Sequence, residues 1–144
     1  MLRRRIKLLG FIVLAALIIT TLPSCSSTDP ASVQGIPLYK GAEEKPTPDD
    51  LKMVLNISDL SCHSYKVNAE LEDITSWYKN LMGSHYVLVK ENLFSPPDNP
   101  SVRFSMMYYR DNDKGVLIAV LPDPRVADVA TLVVAEGLWS KVEG

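Results

Sequence analysis

The sequence predicts an α+β fold, with one helix packed on a mainly antiparallel sheet of about five strands. Three observations carry this expectation. Runs rich in Val, Ile, Tyr and Phe lie on both sides of residue 70, one intervening stretch places apolar residues every three to four positions, and the order is strands, helix, strands. The 144 residues suit one domain plus a short extra segment.

The domain opens with Ile36-Pro37-Leu38-Tyr39-Lys40-Gly41-Ala42. The interval 41–50 holds Pro46, Pro48 and the acids Glu43, Glu44, Asp49 and Asp50, and reads as irregular. Residues 51–57 and 64–67 read as short strands separated by the turn cluster Ser58-Asp59-Leu60-Ser61. The period then changes: Leu71, Ile74, Trp77 or Tyr78, and Leu81 form one helical stripe. Asn68 is the expected N-cap, Glu70, Glu72 and Asp73 sit at the positive end of the dipole, Lys79 lies near the negative end, and Gly83 is the stop.

Residues 86–89, 102–110, 116–121 and 131–136 read as four further strands. Asp111-Asn112-Asp113-Lys114-Gly115 supplies a hairpin turn, and Pro122-Asp123-Pro124 breaks the chain. Residues 125–139 also fit a helix through Val126, Val129, Ala130 and Val133; Thr131-Leu132-Val133-Val134 favours strand.

The first 24 residues hold Arg3, Arg4, Arg5 and Lys7 and no acid, so without them 11 cations face 17 acids, a net charge of −6. That balance argues against a nucleic-acid partner, which selects for basic excess on one face. The basic start is followed by an apolar run over 8–22, short of the ~20 residues that cross a bilayer, and then by Leu22-Pro23-Ser24-Cys25. This layout is that of a secretory signal.

Leu22-Pro23-Ser24-Cys25 resembles the lipobox of bacterial lipoproteins, with Pro23 a less usual middle residue. The resemblance implies cleavage before Cys25 and diacylglycerol on its sulfur, with the membrane as partner. It divides the chain into a signal at 1–24, a lipidated Cys25 and tether at 25–35, and a domain at 36–144. It places the domain on the periplasmic or extracellular side, at the outer membrane if the cell has two, because Ser26 follows the cysteine. Two or more acyl chains anchor stably, each buried CH₂ contributing ~0.8 kcal/mol. The Ser-, Thr- and Pro-containing stretch 26–34 reaches at most ~30 Å.

The opening Pro37, Tyr39, Gly41, Ala42 and the helical Trp77-Tyr78-Lys79 also resemble small α+β domains of bacterial envelope proteins, which often carry Pro where this chain has Lys40. That resemblance implies a fold and no activity.

No cofactor or metal site is expected: Cys62, His63 and His85 lack short ligand spacing, and at Asp111-x-Asp113 an EF-hand reading puts Val116 where Gly is needed and Pro122 where Glu is needed. Neither Gly-x-Ser-x-Gly, His-Glu-x-x-His nor a phosphate loop occurs. With Cys25 lipidated, Cys62 is the one remaining thiol. Beside His63 it supports an alternative reading, a small thiol-dependent envelope enzyme, although adjacent residues on a strand face opposite ways.

The principal expectation is a non-catalytic binding module whose partner is another envelope protein, an apolar ligand or itself. One helix covers one sheet face, and in 102–109 the set Val102, Phe104, Met106, Tyr108 is the more continuously apolar. Met107 and Tyr109 are therefore expected to point away from the helix as a binding surface, with Arg103 and Ser105 as its polar rim. Cover by the 36–42 segment would account for the same face as well as pairing with another subunit or binding of a partner or ligand does.

Overall fold

The computed structural model describes residues 32–95, 97–98 and 100–143. The expected export signal, Cys25 and the expected tether as far as residue 31 lie outside the described residues. The first described elements form a short hairpin. Ser32–Val33 (β1) pairs with Ile36–Pro37 (β2), because Gln34 and Gly35 both take positive φ and turn the chain back on itself. Ile36 and Leu38 then enter the core.

The main sheet has six strands, all antiparallel to their neighbours, in the order β3, β4, β8, β7, β6, β5. They are Glu43–Lys45 (β3), Ser61–Val67 (β4), Val87–Phe94 (β5), Phe104–Asp111 (β6), Lys114–Pro122 (β7) and Ala130–Leu138 (β8). The last four form a meander. Asn112, at positive φ, makes the tight turn that sets Asp111 opposite Lys114. Residues 130–138 are strand, as the Thr131–Val134 run favours, and 125–129 form the loop before it.

Among the described residues three helices accompany the sheet, where one was expected. Leu71–Met82 (α2) is the long one. Its start is Glu70, which offers no side-chain cap; Asn68 lies outside the helix. Strands β4 and β5 run in the same direction, four strand spacings or ~19 Å apart, so α2 carries the chain back along and across one face. Leu71, Ile74, Tyr78 and Met82 pack there on Tyr65, Val67, Met107, Tyr109, Val116, Ile118, Val120, Leu132 and Val134. Leu81, expected in the stripe, is only half-buried, and Met82 takes its place. The Tyr78 hydroxyl donates to the Pro37 carbonyl at 3.1 Å, which ties α2 to the β2 segment.

The stretch 51–57, expected as strand, contains the end of a short helix. Asp49–Val54 (α1) follows Pro48, carries Asp49 and Asp50 in its first turn, and ends at Leu55. Asn56 takes φ 55°, its N–H reaching Met53 and that of Ile57 reaching Lys52, which is the Schellman termination. The helix buries none of its own residues. It delivers Leu55 and Ile57 to the second face, where they meet Met106, Leu117, Ala119, Val133 and Ala135. Trp139–Val142 (α3) closes that face with Trp139 and Val142, its first N–H bonded to the Asp113 carbonyl at 2.7 Å. Both faces of the sheet are thus covered within the chain.

Candidate binding surface at the open sheet edge

Met107 and Tyr109 do not form an exposed surface. Each is 0% exposed, in the core beneath α2, and the Tyr109 hydroxyl approaches the Met107 sulfur at 3.6 Å. Alternation along β6 is as expected, but the two sets are exchanged: Met106 and Tyr108 belong to the face closed by α3. Arg103 is exposed just before β6 begins and lines a cleft of about 360 Å³ with Glu70, Glu72, Asp123, Val126 and Asp128. There the Glu70 carboxyl is held above the ordinary carboxylate range by its hydrogen bond to the Asp128 carboxyl and by the like charges of Asp128 and Asp73. Arg103, Met107 and Tyr109 therefore share no site.

Cys62 and His63 are likewise separated by the pleat of β4. His63 shares a face with Tyr65 and Val67, and its Nδ1 lies 3.1 Å from Glu44 Oε1. Cys62 is half-buried against the opposite cluster, whose margin includes Leu51 and Leu60. A thiol and an imidazole on opposite faces of one strand do not share a proton. Among the described residues no group of three or more His, Cys, Asp or Glu side chains is placed to hold a metal ion.

What the fold leaves open is one edge. At one side the sheet ends in β3, three residues long and charged throughout (Glu43, Glu44, Lys45), the usual way of blunting an edge. At the other it ends in β5, which is eight residues long and among the described residues pairs only with β6. Val87 is 69% exposed and Leu93 60%, and Leu88, Val89 and Phe94 are exposed as well. A bulge at Val89 shifts the register between Leu88 and Lys90.

The two charges of β5 are drawn back onto the protein. Lys90 Nζ lies 5.6 Å from the centre of the Tyr108 ring, and Glu91 Oε1 accepts from Lys79 Nζ at 2.7 Å. At the end of the strand Phe94 stacks on Phe104 at 5.4 Å. An edge of this length, apolar at both ends and with its charges turned inward, offers a row of unpaired backbone groups for strand addition. The sequence predicts this strand only as far as residue 89. The bulge breaks the alternation there, and Lys90-Glu91-Asn92 reads as a polar interruption.

No protein-family model, curated protein or solved structure matches this chain. Among the described residues no helix is long and apolar enough to cross a membrane.

Proposed function

We propose that this chain is an exported bacterial envelope lipoprotein, anchored through acylation of Cys25, whose α+β domain is a non-catalytic interaction module that takes its partner at the β5 edge. One observation carries the binding part: with both sheet faces covered from within, β5 is the long strand left with a free edge and exposed apolar side chains. The anchoring part rests on the basic start, the apolar run and Leu22-Pro23-Ser24-Cys25.

Each part has its own test. Cys25→Ser in the full chain is expected to leave unprocessed precursor and to abolish labelling by radioactive palmitate; normal processing and labelling of that variant would refute the anchor. A photo-crosslinking amino acid in place of Leu93 is expected to give a discrete covalent adduct in intact envelopes that Leu88→Lys removes, whereas the same group in place of the exposed Lys66 on β4 gives none. Equal adducts from both positions, or none from either, would remove β5 as the binding edge.

A further inference from the structure

We infer that the partner at β5 is a second copy of this chain, added antiparallel about a two-fold axis that runs perpendicular to the sheet, midway between the Glu91 residues of the two copies. This deepens the interaction-module reading and rests on it. Such an axis keeps each face on its own side, so residues brought opposite one another must come from the same face. The register with β6 assigns the faces. Leu88, Glu91 and Leu93 lie opposite Tyr109, Met107 and Ser105 on the α2 side; Val87, Lys90, Asn92 and Phe94 lie opposite Arg110, Tyr108, Met106 and Phe104 on the α3 side.

With the bulged Val89 looped out, the strand reads apolar, apolar, polar, Glu91, polar, apolar, apolar. Centred on Glu91, Val87 meets Phe94 of the second copy, Leu88 meets Leu93, and Lys90 meets Asn92. Each apolar side chain finds an apolar one on its own face. The two registers nearest to this fail. Centred on Lys90, the pairing sets Leu88 against Glu91, Val87 against Asn92 and Lys90 against itself. Centred on Asn92, it sets Glu91 against Leu93 and Lys90 against Phe94. Only the first is self-complementary, so the same pattern that exposes the edge also specifies what covers it.

The central pair of glutamates is the one unfavourable contact, and the structure already answers it. Each Glu91 carries its own Lys79 at 2.7 Å, so the centre of the joint is a four-charge group of zero net charge. Lys90 lies back over Tyr108 and does not project across the edge. The two six-stranded sheets join into one continuous sheet, with the α2 layers on one side and the α3 layers on the other. Anchoring of both copies to one membrane would raise their effective concentration and favour a joint of modest area.

Cross-linking of the full chain tests this directly. Directly opposed Cα atoms in an antiparallel pair lie ~4.5–5.5 Å apart, within disulfide range. In a Cys62→Ser background, Glu91→Cys under copper–phenanthroline oxidation is expected to yield covalent dimer at least tenfold above Lys66→Cys, and adding Leu88→Lys with Leu93→Lys is expected to abolish it. Independently, the unsubstituted chain in detergent should sediment at twice its monomer mass, and the Leu88→Lys, Leu93→Lys variant at the monomer mass with an unchanged melting temperature. Dimer from Glu91→Cys no greater than from Lys66→Cys, with sedimentation as a monomer, overturns the second copy. If the photo-crosslinker at position 93 then still captures a protein of another mass, the interaction-module reading survives without self-association. If it captures nothing, both fall.

Discussion

Lys79 Nζ and Glu91 Oε1 lie 2.7 Å apart and link the last turn of α2 to the centre of the free edge strand. The side chains are 41% and 28% exposed, so water screens the pair. Its effect on stability is expected to be that of a surface ion pair, ~0.2–1 kcal/mol. A double-mutant cycle with Lys79→Ala and Glu91→Gln should give a coupling in that range, falling as salt is raised. Coupling above ~2 kcal/mol that salt leaves untouched would mean that the pair is shielded from solvent, as it is not in this fold.

The α2 stripe separates two kinds of leucine and isoleucine. Ile74 is fully buried between the helix and the sheet, whereas Leu81 is half-buried beside the turn that follows. Ile74→Ala is expected to cost ~2–5 kcal/mol, the range for a buried aliphatic side chain whose cavity does not close. Leu81→Ala should cost clearly less, and urea midpoints measure the difference. Equal losses would place Leu81 in the core and rotate the helix relative to the position described.

Much of this architecture was legible in the sequence because it rests on long periodic segments. The twelve residues of α2 and the Asn112–Asp113 turn announce themselves through spacing and turn chemistry. Helix α1 was not legible as one because it is six residues long and buries none of them, so no apolar stripe exists to find. Its signals are at its ends, Pro48-Asp49-Asp50 before it and Asn56 after it. The exchange at Met107 and Tyr109 has another cause. Alternation divides a strand into two sets of side chains but does not say which set meets the helix. The clue lay in β7, where both sets are apolar, the mark of a strand covered on both faces.

Because Met107 and Tyr109 lie in the core under α2, changing them should act on stability first. Met107→Ser with Tyr109→Ser is expected to cost more than ~4 kcal/mol, since it removes two fully buried side chains and leaves polar groups in the space. The expected observation is loss of the cooperative unfolding transition, or a sharply lowered midpoint. A double variant that melts like the parent would return both residues to the surface.

Gly115 stands where β7 passes beneath α3. A Cβ there would lie 2.7 Å from Val142 Cγ2 and 3.1 Å from Trp139 Cα. The Val142 side chain has limited freedom, and the Trp139 backbone is fixed by its hydrogen bond to Asp113. Gly115→Ala is therefore expected to destabilise by ~1–3 kcal/mol and to loosen α3. Protection of the amides in 139–143 from hydrogen exchange should fall at the same time. Unchanged stability and protection would show that α3 does not pack on this strand.

Two buried tyrosines make stability sensitive to alkaline pH. Burial pushes the Tyr109 hydroxyl up to about 12 and raises that of Tyr78 further, while in the unfolded chain both titrate near the ordinary value of about 10. Between those values the folded protein holds protons that the unfolded chain releases, so each tyrosine's contribution is complete below pH 10 and declines as pH rises towards its folded value. The expected slope is ~1.4 kcal/mol per pH unit for each fully buried tyrosine. Tyr109→Phe keeps the ring and removes the ionisation, so its urea midpoint should fall less steeply than the parent's between about pH 10 and 12, with no change of slope below about pH 9. Identical slopes for the two proteins would show that the Tyr109 hydroxyl ionises in the folded state as easily as in water.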